Sequence, residues 1–296
     1  MVIVDRISTE KRQYDAENGS VLGIDVGWSK TKPTTGLCLL EWTAHQISWN
    51  FYDATVNDRE VKLDELVGEK KLLAVGLDGP LVPGLRCVKA YRAADALLSR
   101  GQFQHRGKPG PTNGGFGYRL HEEATKLAEL VLRTQDVAVA FYPYNVYDKA
   151  VVEAFPNAFL AVLHSDKGFP PRPQRCRRWT DTLFCQVDKK LEQLLLILLP
   201  GRKLARHLAE IHGHEKRASF VCSLTALCAV AGRCVAVGSQ KAGYIVLPPL
   251  EFWGREESGG GKWAANTLSE NYTKVQCQPE FSDTKLYRGN KLWVHP

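Results

Sequence analysis

Three short apolar segments, residues 21–26 (VLGIDV), 36–42 (GLCLLEW) and 46–52 (QISWNFY), follow one another with gaps too short for a helix, and this constrains the fold more than any other feature. The first gap holds WSKTKPTT, polar and broken by Pro33; the second holds only a few residues. Strands joined this closely pair antiparallel, so a three-stranded meander is predicted. After a short helical stretch at 64–67, a fourth apolar run, residues 72–77 (LLAVGL), stops at Asp78-Gly79-Pro80. That is the pattern of a buried strand parallel to the first, and it makes the sheet mixed.

Helical patterns follow at 88–100 and 121–133, on either side of the loop FQHRGKPGPTNGGFG. A strand at 151–153 (VVE) precedes an apolar patch at 158–163 and the basic stretch KGFPPRPQRCRRW. Helices are predicted at 181–199, 203–211 and 214–231, then strands at 234–237 and 244–246. The order β-β-β-α-β-α-β with trailing helices predicts one α/β domain over 21–250, with insertions near 101–120 and 165–212. A leader (1–20) precedes it, and the SGGG linker with scattered polar residues predicts a peripheral tail over 251–296.

With 296 residues, 44% of them hydrophobic, the chain has enough apolar material for a sizeable core. Its longest uncharged stretch, residues 218–232, has 15 residues and contains Ser219, Ser223 and Thr225, too short and too polar to span a bilayer. The N-terminus MVIVDRISTEKRQYD carries charges where a signal peptide needs an apolar run, so a cytoplasmic location is expected. Eight cysteines without a CxxC pair read as reduced core residues. The 39 basic against 32 acidic residues give a net charge of +7, which favours anionic partners, nucleic acid slightly ahead of a phosphorylated small molecule.

Three carboxylates sit in or at the end of apolar strands: Asp25 in LGIDVG, Asp78 in VGLDGP and Glu153 in VVEAFP. An isolated acid there costs several kcal/mol unless it is paired, hydrogen-bonded or metal-bound. If the first strand is central and the later ones lie parallel beside it, their carboxyl ends bring the three acids together. Two divalent cations between them, roughly 3.5–4 Å apart, would activate water and stabilise a leaving oxygen, and oxygen-only ligands suit Mg²⁺ or Mn²⁺. The plainer alternatives are that Asp78 caps its turn and that Glu153 pairs with a basic neighbour. A fourth acid, Glu215, starts a core-facing stripe on the helix HEKRASFVCSLTALCAV together with His214, where the helix dipole also favours it.

The ordered set GIDVGWSKTKPTTGLCLLEW, VGLDGPLVPG, YRAADALLSRGQF, VVEAFPNAFLAVL, HEKRASFVCSLTALCAV and GYIVLPP resembles the domain of unknown function 429 family, predicted nucleases with an RNase H-like fold. The resemblance spans about residues 20–250. It implies a five-stranded RNase H-like mixed sheet, with Asp25 as the first-strand metal ligand, Asp78 as the fourth-strand ligand and Glu153 as the acid after the following strand. On the final helix, where the family places an Asp before an Ala, this chain has Ala218-Ser219, and Glu215 one turn earlier is the acid available to substitute. Asp25, Asp78, Glu153 and Glu215 are thus the expected catalytic and metal-binding residues of a metal-dependent nuclease or phosphodiesterase.

Lys30 and Lys32 after the first strand are candidates to meet a substrate phosphate, and His214 to shuttle a proton. Arg92 and Asp95, at i, i+3 spacing on one helix, are further substrate-binding candidates, for which the resemblance implies a role near the pocket mouth; the plainer alternative is a local ion pair. Arg172, Arg175, Arg177 and Arg178 with Trp179 offer guanidinium groups and a stacking ring. His105, Arg106 and Lys108 lie among glycines, but no GxxxxGK[ST] occurs. No GxSxG elbow or zinc-ligand spacing is present. Two other classes stay open: a catalytically silent nucleic-acid-binding scaffold, and a phosphotransferase like the sugar kinases, whose phosphate-binding first hairpin GIDVGWSKTKPTTGLCLL also resembles. That second class duplicates its unit, and no second hairpin of this kind occurs here.

Overall fold

The computed structural model describes residues 17–28, 33–81, 92–109, 115–140, 149–170, 179–256 and 261–293. The meander is β1 (Gly19–Asp25), β2 (Thr35–Trp42) and β3 (Gln46–Ala54), followed by α1 (Arg59–Val67) and β4 (Ala74–Asp78). Next come α2 (Ala93–Leu98), α3 (Phe103–Arg106), α4 (Gly115–Thr134), β5 (Ala138–Val139), β6 (Ala150–Ala154), α5 (Pro156–Leu163) and α6 (Trp179–Leu198). The remaining elements are β7 (Lys203–Leu204), α7 (His214–Val230), β8 (Val235–Ser239), β9 (Gly243–Leu247), α8 (Trp263–Gln276), β10 (Lys285–Arg288) and β11 (Lys291–Leu292).

Among the described residues the eleven strands form one mixed sheet in the order β11-β10-β8-β9-β6-β4-β1-β2-β3-β7, with β5 also paired to β6. β2 is antiparallel to β1 and β3, whereas β4 is parallel to both β1 and β6, and β6 is parallel to β9. The carboxyl ends of β1, β3, β4, β6 and β9 therefore share one edge of the sheet. β1, flanked on both sides, is buried from Ser20 to Asp25, as its continuous apolar run requires.

Alternation along the strands divides the core. Val21, Cys38, Leu40, Trp49, Ala74 and Val152 pack under α5, α6 and α7. Leu22, Ile24, Leu39, Val75 and Leu77 pack on the opposite face under α1 and α4. Beside them on that second face, α2 and α8 cover Val235, Val237, Ile245 and Leu247.

Helix α7 lies unusually close to the sheet because it crosses three glycines. A Cβ on Gly36 of β2 would stand 2.5 Å from the Glu215 carbonyl oxygen, one on Gly23 of β1 2.0 Å from that of Ser219, and one on Gly76 of β4 2.0 Å from that of Cys222. The i, i+4, i+7 spacing of these carbonyls is one helix face, so the missing side chains seat the helix and place its first turn over the edge that carries Asp25.

Several expectations are corrected. The sheet is larger than five strands, since β9, β8, β10 and β11 extend it. Residues 251–296 are not a peripheral tail: β10 pairs antiparallel with β8, and Trp263, Leu268, Val275 and Leu286 are buried. Short strands with only a few apolar positions conceal this in the sequence. Residues 203–211 are not a helix, because Lys203 and Leu204 pair with Gln46 and Ile47 at the edge of β3, and only a 3-10 turn follows at Leu208–Glu210. Among the described cysteines, all free, Cys38, Cys222, Cys228 and Cys234 are buried as expected, whereas Cys185 and Cys277 are exposed. No helix among the described residues is long and apolar enough to cross a membrane.

Candidate functional site

Strand register decides which acids meet. Ile24 of β1 is level with Leu77 of β4, so one residue further along Asp25 and Asp78 close two neighbouring parallel strands, which in a sheet lie about 4.8 Å apart. By alternation from Gly23 and Gly76, which face α7, both acids also face α7. Asp25 is 1% exposed and Asp78 is half-buried. Asp25 is level with Gly36 of β2, and Gly36 with Asp53 of β3, so one row of the α7 face reads Asp53, Gly36, Asp25, Asp78. Over Gly36 stands Glu215, whose Cβ would be 3.1 Å from a Cβ placed there.

Glu215 is half-buried in the first turn of α7, where the helix dipole favours a negative charge. His214, also half-buried, precedes it, and its buried Nδ1 makes no hydrogen bond among the described residues. Asp53 is the acid that the sequence reading missed. Asp53 is exposed, yet the protein packed near it shields its carboxyl from water and raises its pKa above the ordinary value, while Lys216 pulls it down and Glu215 pushes it up again. The alternation Ile47, Trp49, Phe51, Asp53 was the available signal, hidden because the predicted strand stopped at Tyr52.

Glu153 is not part of this group. It is level with Leu77, not with Asp78, and therefore faces the side opposite α7. There it is 4% exposed and held by Arg92, whose Nη2 and Nη1 donate to Oε1 and Oε2 at 2.6 and 2.7 Å. The same guanidinium donates from Nε and Nη2 to Asp95 at 3.0 Å each, and from Nη1 to the Ala242 carbonyl at 3.1 Å. Arg92 and Asp95 thus form the i, i+3 pair, the plainer alternative to substrate binding, and the basic neighbour of Glu153 is Arg92 itself. All three side chains are buried, so they sit inside the protein and not at a pocket mouth.

Burial pushes the Glu153 carboxyl up to about 7 against the pull of Arg92, with Asp95 adding repulsion. Burial also opposes the charge on Arg92, but Asp95 and Glu153 overcome it and hold the guanidinium protonated.

Lys30, Lys32, Arg172, Arg175, Arg177 and Arg178 lie outside the described residues. Trp179 is 3% exposed and packs against Phe169 with ring centroids 5.8 Å apart, which removes it as a platform for base stacking. Arg106 pairs with Asp166, and its guanidinium stacks over Phe169 and Trp263 at 4.9 and 4.5 Å, so it braces α3 in place of a loop phosphate contact. His105 is exposed and Lys108 half-buried.

Among the described residues no group of three or more His, Cys, Asp or Glu side chains is placed to hold a metal ion. The carboxylates that the register places side by side are Asp25 and Asp78. Two carboxylates fit one Mg²⁺-like cation, which commonly takes one or two protein carboxylates and completes its shell with water and substrate phosphate. They do not fit the three-acid, two-cation cluster that the sequence predicts. No family model, curated protein or solved structure matches the chain.

Proposed function

We propose that this protein is a metal-dependent nuclease or phosphodiesterase of RNase H-like type that hydrolyses a nucleic-acid phosphodiester. The observation that carries this reading is the convergence of Asp25 and Asp78 at the carboxyl ends of two adjacent parallel strands, on the face where α7 begins with His214 and Glu215. The strand order β3-β2-β1-β4-β6, antiparallel in its first half and parallel in its second, supports the RNase H-like assignment within the larger sheet. A net charge of +7 is consistent with a polyanionic substrate.

In this reading Asp25 and Asp78 hold a single Mg²⁺ or Mn²⁺. When bound, such a cation lowers the pKa of a coordinated water and neutralises charge on the phosphodiester. Glu215, over Gly36 at the same edge, is placed to orient water by accepting its hydrogen bond. His214 is the candidate to move a proton, at the Nδ1 that makes no bond among the described residues. Glu153 has no part in the chemistry; it acts on the fold through Arg92.

The test is a cleavage assay of the purified chain on DNA, RNA, a branched junction and a small nucleotide with Mg²⁺ or Mn²⁺, alongside Asp25→Asn and Asp78→Asn. Cleavage abolished by both substitutions supports the reading. Nucleic-acid binding without cleavage favours a silent scaffold, and ATP turnover a phosphotransferase.

A further inference from the structure

On the face opposite α7, one turn of α4 reaches the backbone just beyond Asp78 directly and that just beyond Asp25 through Arg59 of α1. His121, buried, donates from Nδ1 to the Pro80 carbonyl at 3.1 Å, two residues after Asp78. The tautomer follows, because a carbonyl oxygen can only accept. Ala124, one turn further, lies against Gly79: a Cβ there would come 2.6 Å from the Ala124 methyl, and its φ of +147° is one that residues with side chains rarely adopt. Between these two, Glu123 Oε2 accepts from Arg59 Nη1 at 2.6 Å.

That guanidinium, 7% exposed, also reaches the turn after Asp25. Its Nε donates to Thr35 Oγ1 at 3.1 Å and its Nη2 to the Gly27 carbonyl. The Gly27 N–H donates in turn to Thr35 Oγ1 at 3.1 Å. Both backbone groups of Gly27, two residues beyond Asp25, are thus held by Thr35 of β2 and Arg59 of α1, and Arg59 in turn is tied to α4 through Glu123.

We propose that this turn of α4 is the brace that sets the separation of Asp25 and Asp78, with Arg59 and His121 as positioning residues for a divalent cation held between the two carboxylates. The proposal rests on the cation site described under Proposed function. Each acid is the last residue of its strand, so the following turn determines how firmly its backbone is held. Ligand distances in a metal shell tolerate errors of only about 0.2 Å, which a frayed strand end does not meet. Helix α4 holds the turn after Asp78 directly and, through the Glu123–Arg59 ion pair to α1, the turn after Asp25, which ties the two positions to each other.

Calorimetric titration of the full chain with Mn²⁺, combined with amide hydrogen exchange, tests this. Arg59→Lys and His121→Ala are expected to weaken Mn²⁺ binding about tenfold, the low end of what losing support behind a metal's ligands costs. His121→Asn, whose amide nitrogen stands where Nδ1 donates, restores most of the affinity. Exchange is expected to quicken at the Gly27 amide in Arg59→Lys and at the Gly79 amide in His121→Ala. Glu123→Gln, which keeps the side-chain shape, replaces Arg59→Lys if that variant fails to fold. Wild-type affinity in the Arg59 and His121 variants overturns the brace. If the unsubstituted protein takes up no Mn²⁺, the cation site itself falls; faster exchange at the two amides then upholds the brace and unchanged exchange overturns it.

Discussion

Asp25 with Asp78, and Glu153 with Arg92 and Asp95, occupy neighbouring strand ends and look equivalent in the sequence, each an acid closing an apolar run. A shift of one residue in register separates them. Asp25 and Asp78 share a row with Gly36 on the α7 face, whereas Glu153 shares a row with Ile24, Leu77 and Ile245 on the other. In the first group two acids lie side by side beneath a helix N-terminus; in the second a buried guanidinium already lies between two carboxylates. The difference shows that carboxylate clustering is a property of rows across strands, and that proximity along the sheet edge alone does not make a common site.

If the second group serves the fold, its disruption should cost stability and leave cation binding alone. Arg92→Met, which strands two buried carboxylates, is expected to lower unfolding free energy by about 3–5 kcal/mol in denaturant titration. A loss under about 1 kcal/mol would mean that the acids find other partners. Gly23→Ala probes the first group's support: the added methyl meets the Ser219 carbonyl, and a loss of about 3 kcal/mol is expected from forcing α7 off the sheet. Retained stability would show that α7 shifts freely.

Glu153→Gln sharpens the contrast through pH. The folded Glu153 value of about 7 lies above its ordinary 4.5, so the native state binds this proton more tightly. Its stabilising contribution is fully present below about 4.5 and is lost as pH rises through 7. Buried His164, lowered to about 4 by burial, acts with the opposite sign: its contribution is present above 6.5 and is lost as pH falls through 4. The difference between wild type and Glu153→Gln therefore isolates the glutamate, and it should favour wild type more at pH 5 than at pH 8. A difference independent of pH would contradict the raised value. The smallest effect is expected at Asn271, whose Nδ2 donates to the Leu97 and Arg100 carbonyls and so caps α2, the helix of Arg92 and Asp95. Asn271→Ala should cost about 1–2 kcal/mol without altering cation affinity.

Much of the central fold was legible because its signals are local. The runs VLGIDV, GLCLLEW and LLAVGL announce buried strands, and short polar gaps dictate the meander. The first turn of α7 and the presence of acids at Asp25 and Asp78 were equally visible. The face of Glu153 was not, because pairing register depends on tertiary contacts and a single residue reverses it. Arg59 and His121 carry no motif; they matter through partners 24 to 64 residues away for Arg59 and 41 away for His121. The strands β10 and β11 are too short to rise above a polar background, although Trp263, Phe281 and Leu286 mark their segment as part of the core.

The central claim, that Asp25 and Asp78 form the cation site and Glu153 does not, is tested most directly by titrating Mn²⁺ into wild type, Asp25→Asn, Asp78→Asn and Glu153→Gln, each shown to be folded by circular dichroism. The predicted result is wild-type affinity in Glu153→Gln and loss of the site in both aspartate variants. Loss in Glu153→Gln equal to that in Asp25→Asn, or binding unchanged in all four proteins, contradicts the assignment.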